Sequence, residues 1–292
     1  MRVLMLSTWP DAAVDYVLHD LRRFLPSDIE AEIIHPAVIQ DDDKLLDMYN
    51  DFDLIHMGYY GQIAGDVTSI SPPITANVWH IGLESIAKSI SGLAGANIQH
   101  LFADDTTSVQ ILGQNNITAV TLVPPPFDPA RVPELPLPPR FTVGVFCSNF
   151  PHKRWNVAVE ACDEADAECY AAVLPWMRKQ YFLKPMRDVY PHISVLVNAS
   201  FCDTGSLPCF EALRAGRPVI TTHSHAMHRV VQDGVNGYFF DGSPGDLAHK
   251  ISLVQDNLAT LREGALATPF PDMQAIATTY ATIWRRIAEE FA

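Results

Sequence analysis

A proline-rich stretch places the strongest constraint on the fold, because it divides the 292-residue chain into two similar halves. Residues 124–139 contain eight prolines. Proline restricts φ and removes a backbone donor, so this stretch predicts an extended connector. On both sides of it, apolar runs such as Val3–Leu6 and Phe141–Phe146 alternate with segments of helical periodicity. This alternation predicts two α/β domains, each with a doubly wound, mostly parallel sheet.

The predicted domain boundaries follow from the same pattern. We expect an N-terminal domain over residues 1–130, a C-terminal domain over residues 131–272 and a closing helix in residues 273–292. Ligands of open parallel sheets bind outside the carboxyl ends of the strands, and clefts between domains commonly hold small molecules. A small-molecule site is therefore expected in a cleft between the two domains, where loops follow the strands.

Composition and charge narrow the function classes. The chain is 48% hydrophobic and 18% charged, which suits a globular protein with a sizeable core. Its formal net charge of -14 argues against nonspecific binding of nucleic acid, although a local basic pocket for a small anionic ligand stays open. Five cysteines without a C-x-x-C pair argue against a disulfide framework, and no apolar run reaches the roughly 18 residues that span a bilayer. We therefore expect a cytoplasmic protein without stable membrane insertion.

The stretch D-T-G-S-L-P-C-F-E, which runs from Asp203 to Glu211, concentrates the candidate site residues. Asp203 follows an apolar run that predicts a strand, and Pro208 suits the first turn of a helix that we predict over residues 208–215. The N-terminus of that helix offers free N–H groups and a partial positive charge to a phosphate or a sugar hydroxyl. The residues that lead into it are Gly205, Ser206 and Leu207.

This stretch and its flanks resemble the signature of retaining GT-B glycosyltransferases, in particular glycosyltransferase family 4. That signature has an acid, a Gly-rich loop, a second acid and then G-x-P-V. Asp203 and Glu211 stand at the two acids, and Gly216–Val219 matches the G-x-P-V. Val230–Gly237 is similar to the v-v-x-D-G-x-x-G turn of the family. The resemblance covers roughly residues 119 to 245 well and the N-terminal half in outline.

The resemblance implies the GT-B architecture, in which two Rossmann-like domains face each other across a cleft. Residues 1–130 would bind the acceptor, residues 131–272 would bind a nucleotide sugar, and the last helix, 273–292, would cross back to the N-terminal domain. The implied activity is transfer of a hexose-like sugar from a nucleotide diphosphate sugar to a hydroxyl acceptor. It would proceed with retained configuration and without a metal or a bound cofactor. We expect a monomer or a homodimer.

The resemblance also assigns roles to residues of the site. Glu211 would accept hydrogen bonds from the ribose hydroxyls of the donor, and Asp203 would contact hydroxyls of the transferred sugar. The amides of residues 205–207 would face the sugar and the phosphates. His80, after the fourth predicted strand, would contact the donor sugar or the acceptor near the reaction centre. The implied catalytic residues are His80, Lys153, Asp203 and Glu211.

The phosphate-binding side of the implied site departs from the family. The family carries an Arg and a Lys after the first strand of its C-terminal domain. Lys153 matches the Lys, whereas Ser148 stands at the Arg position, and Arg154 could supply the missing charge only from a different direction. This charge matters because the leaving diphosphate gains negative charge in the transition state. The departure bears on activity rather than on fold.

Two other functions stay open. Ser148 and the shorter acid at Asp203 are compatible with a nucleotide-sugar-binding protein or partner subunit that lacks turnover. A phage-type glycosyltransferase that acts on a modified nucleic-acid base is a further alternative, against which the acidic charge speaks. His223, His225 and His228 have a spacing that can bind zinc, but a contact between one of them and the donor is the favoured interpretation.

Overall fold

The computed structural model describes most of the chain, which divides into two compact units. The described residues are 1–7, 13–36, 39, 42–59, 70–78, 98–174, 185–201, 206–224 and 227–292. Unit 1 comprises Met1–Phe127 and Pro271–Ala292, and unit 2 comprises Asp128–Phe270. The chain therefore passes from the first unit to the second within the proline-rich stretch.

Both units consist of parallel strands that alternate with helices, as predicted. In chain order, the elements are β1 (Arg2–Leu6), α1 (Ala13–Phe24), β2 (Glu30–Ile34), α2 (Asp42–Asn50), β3 (Leu54–Met57), β4 (Ile74–Val78), β5 (Ile98–Ala103), α3 (Thr106–Gln114), β6 (Val120–Leu122), β7 (Thr142–Ser148), α4 (Trp155–Glu164), β8 (Glu168–Leu174), α5 (Pro185–Asp188), β9 (Val195–Asn198), α6 (Leu207–Arg214), β10 (Val219–Thr222), β11 (Gly237–Phe240), α7 (Pro244–Leu266) and α8 (Met273–Phe291). The strand order is β2-β1-β3-β4-β5-β6 in unit 1 and β11-β10-β9-β7-β8 in unit 2. No helix within these described ranges combines the length and the apolar character needed to cross a lipid bilayer.

Strand β1 of unit 1 is buried on both faces. Val3 and Met5 pack with α1 and α8, whereas Leu4 and Leu6 pack with α2 and α3 on the opposite face. Its neighbours β2 and β3 are both parallel to it. Because helices cover both faces, the strand reads as a continuous apolar run rather than as an alternating one.

Unit 1 is completed by α8, which follows unit 2 in the sequence. Asp272 caps this helix, since its carboxylate accepts a hydrogen bond from the amide of Gln274 at 2.8 Å. Tyr280 and Trp284 are buried, and the Tyr280 ring stacks on Phe102 with the ring centroids 4.0 Å apart. Buried residues at helical spacing thus attach the last helix to the sheet of unit 1.

A glycine allows the close approach of β10 and β11 in unit 2. Gly237 opens β11 opposite Val219 of β10, and a Cβ atom at this position would overlap the carbonyl oxygen of Val219. Only glycine leaves room for this contact between backbones. The close contact between the two strands therefore requires glycine at the last position of the D-G-x-x-G turn. Helices α4 and α7 pack together against one face of this sheet.

Two helices differ from the sequence-based expectation. The apolar pattern of the sequence does not single out α3, whose residues T-T-S-V-Q-I-L-G-Q have low helix propensity. This helix begins because the Asp105 carboxylate accepts a hydrogen bond from the Ser108 amide at 2.8 Å. Periodicity predicts α7 only over Leu247–Leu261. A cap by Ser243 and a proline in the first turn start it earlier, at Pro244.

Candidate functional site

The candidate site lies at the carboxyl edge of the unit 2 sheet. Strands β7 and β9 are adjacent and parallel, so the connections that follow them leave the sheet at the same edge. The connection after β7 carries Ser148, Lys153 and Arg154, and the connection after β9 leads into α6. The fold therefore brings two groups of predicted site residues to one edge, although they lie far apart in the sequence.

The N-terminus of α6 carries two of the predicted residues. The helix spans Leu207–Arg214, so Ser206 directly precedes it and Leu207 is its first residue. The Ser206 carbonyl oxygen accepts a hydrogen bond from the amide of Cys209 at 2.9 Å. Pro208 occupies the first turn, where a missing N–H group is tolerated. The helix begins one residue earlier than its apolar pattern predicts.

Glu211 is buried in α6, and both of its carboxylate oxygens have a partner. Oε1 lies 2.9 Å from Nη1 of Arg131, and Oε2 lies 2.8 Å from the hydroxyl of Tyr190. Because the Glu211 side chain is only 3% exposed, Arg131 supplies the opposite charge that a buried carboxylate requires. Burial, together with the negative charge of Glu211, raises the pKa of Tyr190 well above its ordinary value. The phenol therefore keeps its proton and donates a hydrogen bond to the carboxylate.

A short 3₁₀ turn places Arg131 beside Glu211. The turn spans Pro129–Arg131, and the Asp128 carboxylate caps it by accepting a backbone amide of the turn at 2.9 Å. From α6, Arg214 Nε donates a hydrogen bond to the carbonyl of the first residue of the turn at 3.2 Å. The turn is thus attached to α6 by a contact that does not involve the ion pair.

Arg217, the variable residue of the G-x-P-V motif, organises the backbone around the ion pair. It is fully buried, and its guanidinium donates hydrogen bonds to the carbonyl oxygens of Tyr190 at 3.1 Å, Leu135 at 3.1 Å and Pro136 at 2.6 Å. Burial lowers the pKa of Arg217 to about 10, so the group stays protonated at neutral pH. Arg217 therefore ties the proline-rich stretch to the residue whose hydroxyl contacts Glu211.

On the predicted phosphate side, Arg154 has another contact. Ser148 is the half-buried last residue of β7, and Lys153 ends the 3₁₀ turn that precedes α4. Arg154 adopts a left-handed backbone conformation with φ of 48°, and its guanidinium donates to the carbonyl of Gly242. It thus links the start of α4 to the loop before α7. A contact with phosphate would require the guanidinium to leave this carbonyl.

Several predicted residues lie outside the described part of the chain, namely His80, Asp203, Gly205 and His225. Their roles stay predictions. His223 and His228 are described, with Nδ1 of the first 3.3 Å from Nε2 of the second, and both rings stack on Phe239. Within the described ranges, no three His, Cys, Asp or Glu side chains are grouped so that they could hold a metal ion.

Sequence reasoning missed the residues that surround Glu211, namely Arg131, Tyr190 and Arg217. They come from three separate segments, so no local spacing connects them. The one available signal is Arg217, which is charged although it directly precedes the fully buried strand β10 in A-G-R-P-V-I. A charged residue at such a position predicts a buried group with fixed partners, since Arg is rarely buried otherwise.

Comparison with known proteins bears on the fold and on the segment that carries the candidate site. Residues 145–257 match the family model described as glycosyl transferases group 1. No curated protein matches the chain. Among solved structures, sucrose-phosphate synthase from Thermosynechococcus elongatus is 14% identical with a TM-score of 0.70, and the match covers 99% of this chain and 100% of that one. HepE from Anabaena, in complex with UDP-glucose, is 16% identical with a TM-score of 0.69, and the match covers 99% of both chains.

A third similar structure matches in part. A mutant of S. aureus TarM is 14% identical with a TM-score of 0.66, and the match covers 83% of this chain and 57% of TarM. At such low identities the likeness concerns the fold, and it confirms the predicted GT-B fold class. The chain thus has the fold of GT-B glycosyltransferases, and its residues 145–257 are similar to the glycosyl transferases group 1 domain.

Proposed function

We propose that the protein is a retaining glycosyltransferase of family 4 that moves a sugar from a nucleotide diphosphate sugar to a hydroxyl acceptor. The observation that carries this proposal is the Glu211 carboxylate of α6, which lies inside the segment that matches the group 1 domain and is held by Arg131 and Tyr190. Helix α6, which contains Glu211, comes after the carboxyl end of β9 in a parallel sheet, and ligands of such sheets bind at that edge. HepE, which has the same fold, was crystallised with UDP-glucose, so this sugar nucleotide is the first donor to test.

Glu211 would bind the ribose of the donor. A carboxylate oxygen can accept two hydrogen bonds. Each oxygen of Glu211 can therefore accept a ribose hydroxyl while it keeps the contact to Arg131 or Tyr190. Lys153 would supply positive charge to the diphosphate, and the amides at the start of α6 would face the phosphates and the sugar.

In the proposed reaction, the bond between the anomeric carbon and the phosphate oxygen breaks while the acceptor oxygen bonds to the same face of the sugar. The configuration is then retained, and the leaving phosphate takes the proton of the acceptor hydroxyl. Lys153 would stabilise the charge on this phosphate without a metal ion. Asp203 and His80 would contact the sugar. Activity in the presence of EDTA tests the role of metal, and NMR of the product tests the configuration.

Thermal denaturation with UDP, UDP-glucose and GDP-mannose tests donor binding. A ligand that binds only the native state raises the melting temperature, and at about 100 times its Kd it adds about 2.7 kcal/mol of stability. We expect a shift with one nucleotide sugar for the wild type and none for Glu211→Gln. Release of the nucleoside diphosphate should follow when a hydroxyl acceptor is added. An unchanged ligand shift in Glu211→Gln contradicts the site assignment.

A nucleotide-sugar-binding protein without turnover is the second candidate, and two observations favour it. Ser148 carries no charge at the position of the family Arg, and the Arg154 guanidinium is engaged with the Gly242 carbonyl. Binding without release of the diphosphate, with a panel of acceptors and with water, supports this candidate. Ser148→Arg then shows whether the phosphate charge is the missing element, because it should produce turnover only in that case.

A further inference from the structure

Both oxygens of the Glu211 carboxylate have a partner within the protein. Arg131 approaches Oε1, and the Tyr190 hydroxyl approaches Oε2. Rotation of the carboxylate about its last torsion would break these two contacts, both of which are charge-assisted and therefore strong. The orientation of the carboxylate is thus set by residues outside α6 rather than by the rotamer of Glu211 alone.

We propose that Arg131 and Tyr190 are positioning residues for the donor nucleotide. They hold Glu211 as a paired acceptor for the two neighbouring hydroxyls of a ribose, so that the protein discriminates ribonucleotides from 2′-deoxyribonucleotides. This inference rests on the proposed function, because it takes the Glu211 carboxylate as the ribose contact. Two hydroxyl donors on neighbouring carbons suit two acceptor oxygens of one carboxylate, provided that the carboxylate stays charged and oriented.

Arg131 lies in the segment 129–136, which other contacts hold in place. Three arginines of unit 2 bind this segment: Arg214 at the carbonyl of Pro129, Arg217 at the carbonyls of Leu135 and Pro136, and Arg262 at the carboxylate of Glu134, 2.8 Å away. The guanidinium of Arg131 therefore meets Glu211 from a fixed backbone. A preorganised partner loses little conformational entropy when it orients a ligand contact.

Tyr190 is held in a comparable way. It is fully buried, and Arg217 donates to its carbonyl oxygen at 3.1 Å. Arg131 and Tyr190 face the carboxylate, and Cys209 lies beside the phenol. Without Arg131, the buried carboxyl group would lose a positive charge 2.9 Å away, and burial would then favour its protonated form, which is the weaker acceptor.

Calorimetric binding of UDP and GDP, each compared with its 2′-deoxy analogue, tests the inference. For the wild type we expect the ribonucleotide to bind on the order of tenfold or more tightly than its analogue. Arg131→Met should reduce this ratio to about one, and raising the pH should restore part of it, because the carboxyl group then ionises again. Arg131→Lys keeps the charge and should give an intermediate ratio.

Two further variants separate positioning from general stability. Tyr190→Phe removes the hydroxyl that contacts Glu211 and the Pro208 carbonyl but removes no charge, and we expect it to lower the ratio less than Arg131→Met does. Arg262→Met is the matched control, because it removes an arginine of α7 that holds the same segment, at Glu134. It should leave the ratio at the wild-type value. An equal loss of ratio in Arg262→Met, or a full ribose preference in folded Arg131→Met, overturns the inference.

The outcomes also distinguish this inference from the proposed function. Wild-type protein that binds no nucleotide contradicts the proposed function and the inference with it. Wild-type protein that binds UDP and its 2′-deoxy analogue equally overturns the inference alone. If Arg131→Met does not fold, the affinity ratios of Arg131→Lys and Tyr190→Phe provide the test. In turnover, these variants should raise the KM of the donor more than they lower kcat, whereas a misfolded fraction lowers kcat alone.

Discussion

Unit 1 buries the neutral imidazoles of His56 and His100, whereas unit 2 buries the charged side chains of Glu211 and Arg217 against polar partners. In unit 1, the His56 ring lies between Phe102, Tyr280 and Trp284, with ring centroids 5.7, 5.4 and 5.2 Å away. Burial lowers the pKa of His56 to about 3, so the imidazole is neutral at pH 7. On strand β5, burial similarly lowers the pKa of His100 to about 4.

In unit 2, Glu211 and Arg217 are buried as charged groups. Glu211 faces Arg131, and Arg217 is surrounded by carbonyl oxygens. A buried neutral histidine destabilises the fold at low pH, because the protonated imidazolium is charged and has no water around it. A buried ion destabilises the fold when its partner is removed. We therefore expect unit 1 to be the more sensitive to acid and unit 2 the more sensitive to substitution.

The largest expected effect comes from Arg217→Met. The variant leaves the carbonyl oxygens of Tyr190, Leu135 and Pro136 without this donor, and we expect it to lower the free energy of unfolding of unit 2 by about 3–5 kcal/mol. Hydrogen exchange of peptides that contain β9, recorded with and without the substitution, measures this loss. Peptides that contain β1 of unit 1 are the internal control and should keep their protection.

Arg217→Lys sharpens this prediction. It keeps the charge but cannot reach all three carbonyl oxygens, because an ammonium group is a point donor and not a planar fork. We expect an intermediate loss of protection in β9. If the Met and Lys variants both exchange like the wild type, the carbonyl contacts of Arg217 do not stabilise unit 2.

Acid should weaken unit 1 by an intermediate amount. From pH 7 to pH 5 we expect a loss of about 2 kcal/mol in its free energy of unfolding through His56. The folded pKa of about 3 lies below the ordinary value of 6.5, so the unfolded state binds the proton first. The stabilising contribution is therefore complete above pH 6.5 and is lost as the pH falls toward 3.

Urea denaturation at several pH values measures this dependence. His56→Gln should flatten the slope below pH 6.5, because the titrating group is gone. His19→Gln alters an imidazole of α1 that is 53% exposed, and it should leave the slope unchanged. An equal slope in the wild type and in His56→Gln would contradict the assignment to His56.

The smallest expected effect comes from Tyr280→Phe in α8. The hydroxyl of Tyr280 donates to Oδ1 of Asn77 at 2.7 Å, and both groups are buried. Phenylalanine keeps the stack on Phe102, so only the hydrogen bond is lost, and we expect about 1–2 kcal/mol of destabilisation in a urea titration. Asp28→Asn breaks the exposed ion pair with Arg285 of the same helix and is the control. It should leave the midpoint unchanged, since exposed pairs add little stability.

The fold was largely predictable from the sequence because its signals are local. Apolar runs separated by helical periodicity predict parallel α/β units, and the proline-rich stretch predicts the change from one unit to the next. Helix α3 was not predictable in this way, since it depends on the cap by Asp105 more than on propensity. The longer start of α7 likewise depends on Ser243 and Pro244 rather than on its apolar pattern.

The sequence by itself determined that Ser148 lies close to the end of β7 and that Leu207 lies next to the start of α6. It also selected Glu211 through the spacing of a motif. Only the tertiary structure decided that Arg131 and Tyr190 hold this carboxylate and that Arg217 holds Tyr190. The reason is physical: periodicity reports the neighbours of a residue along the chain, whereas the partner of a buried charge is chosen by packing of segments that are distant in sequence.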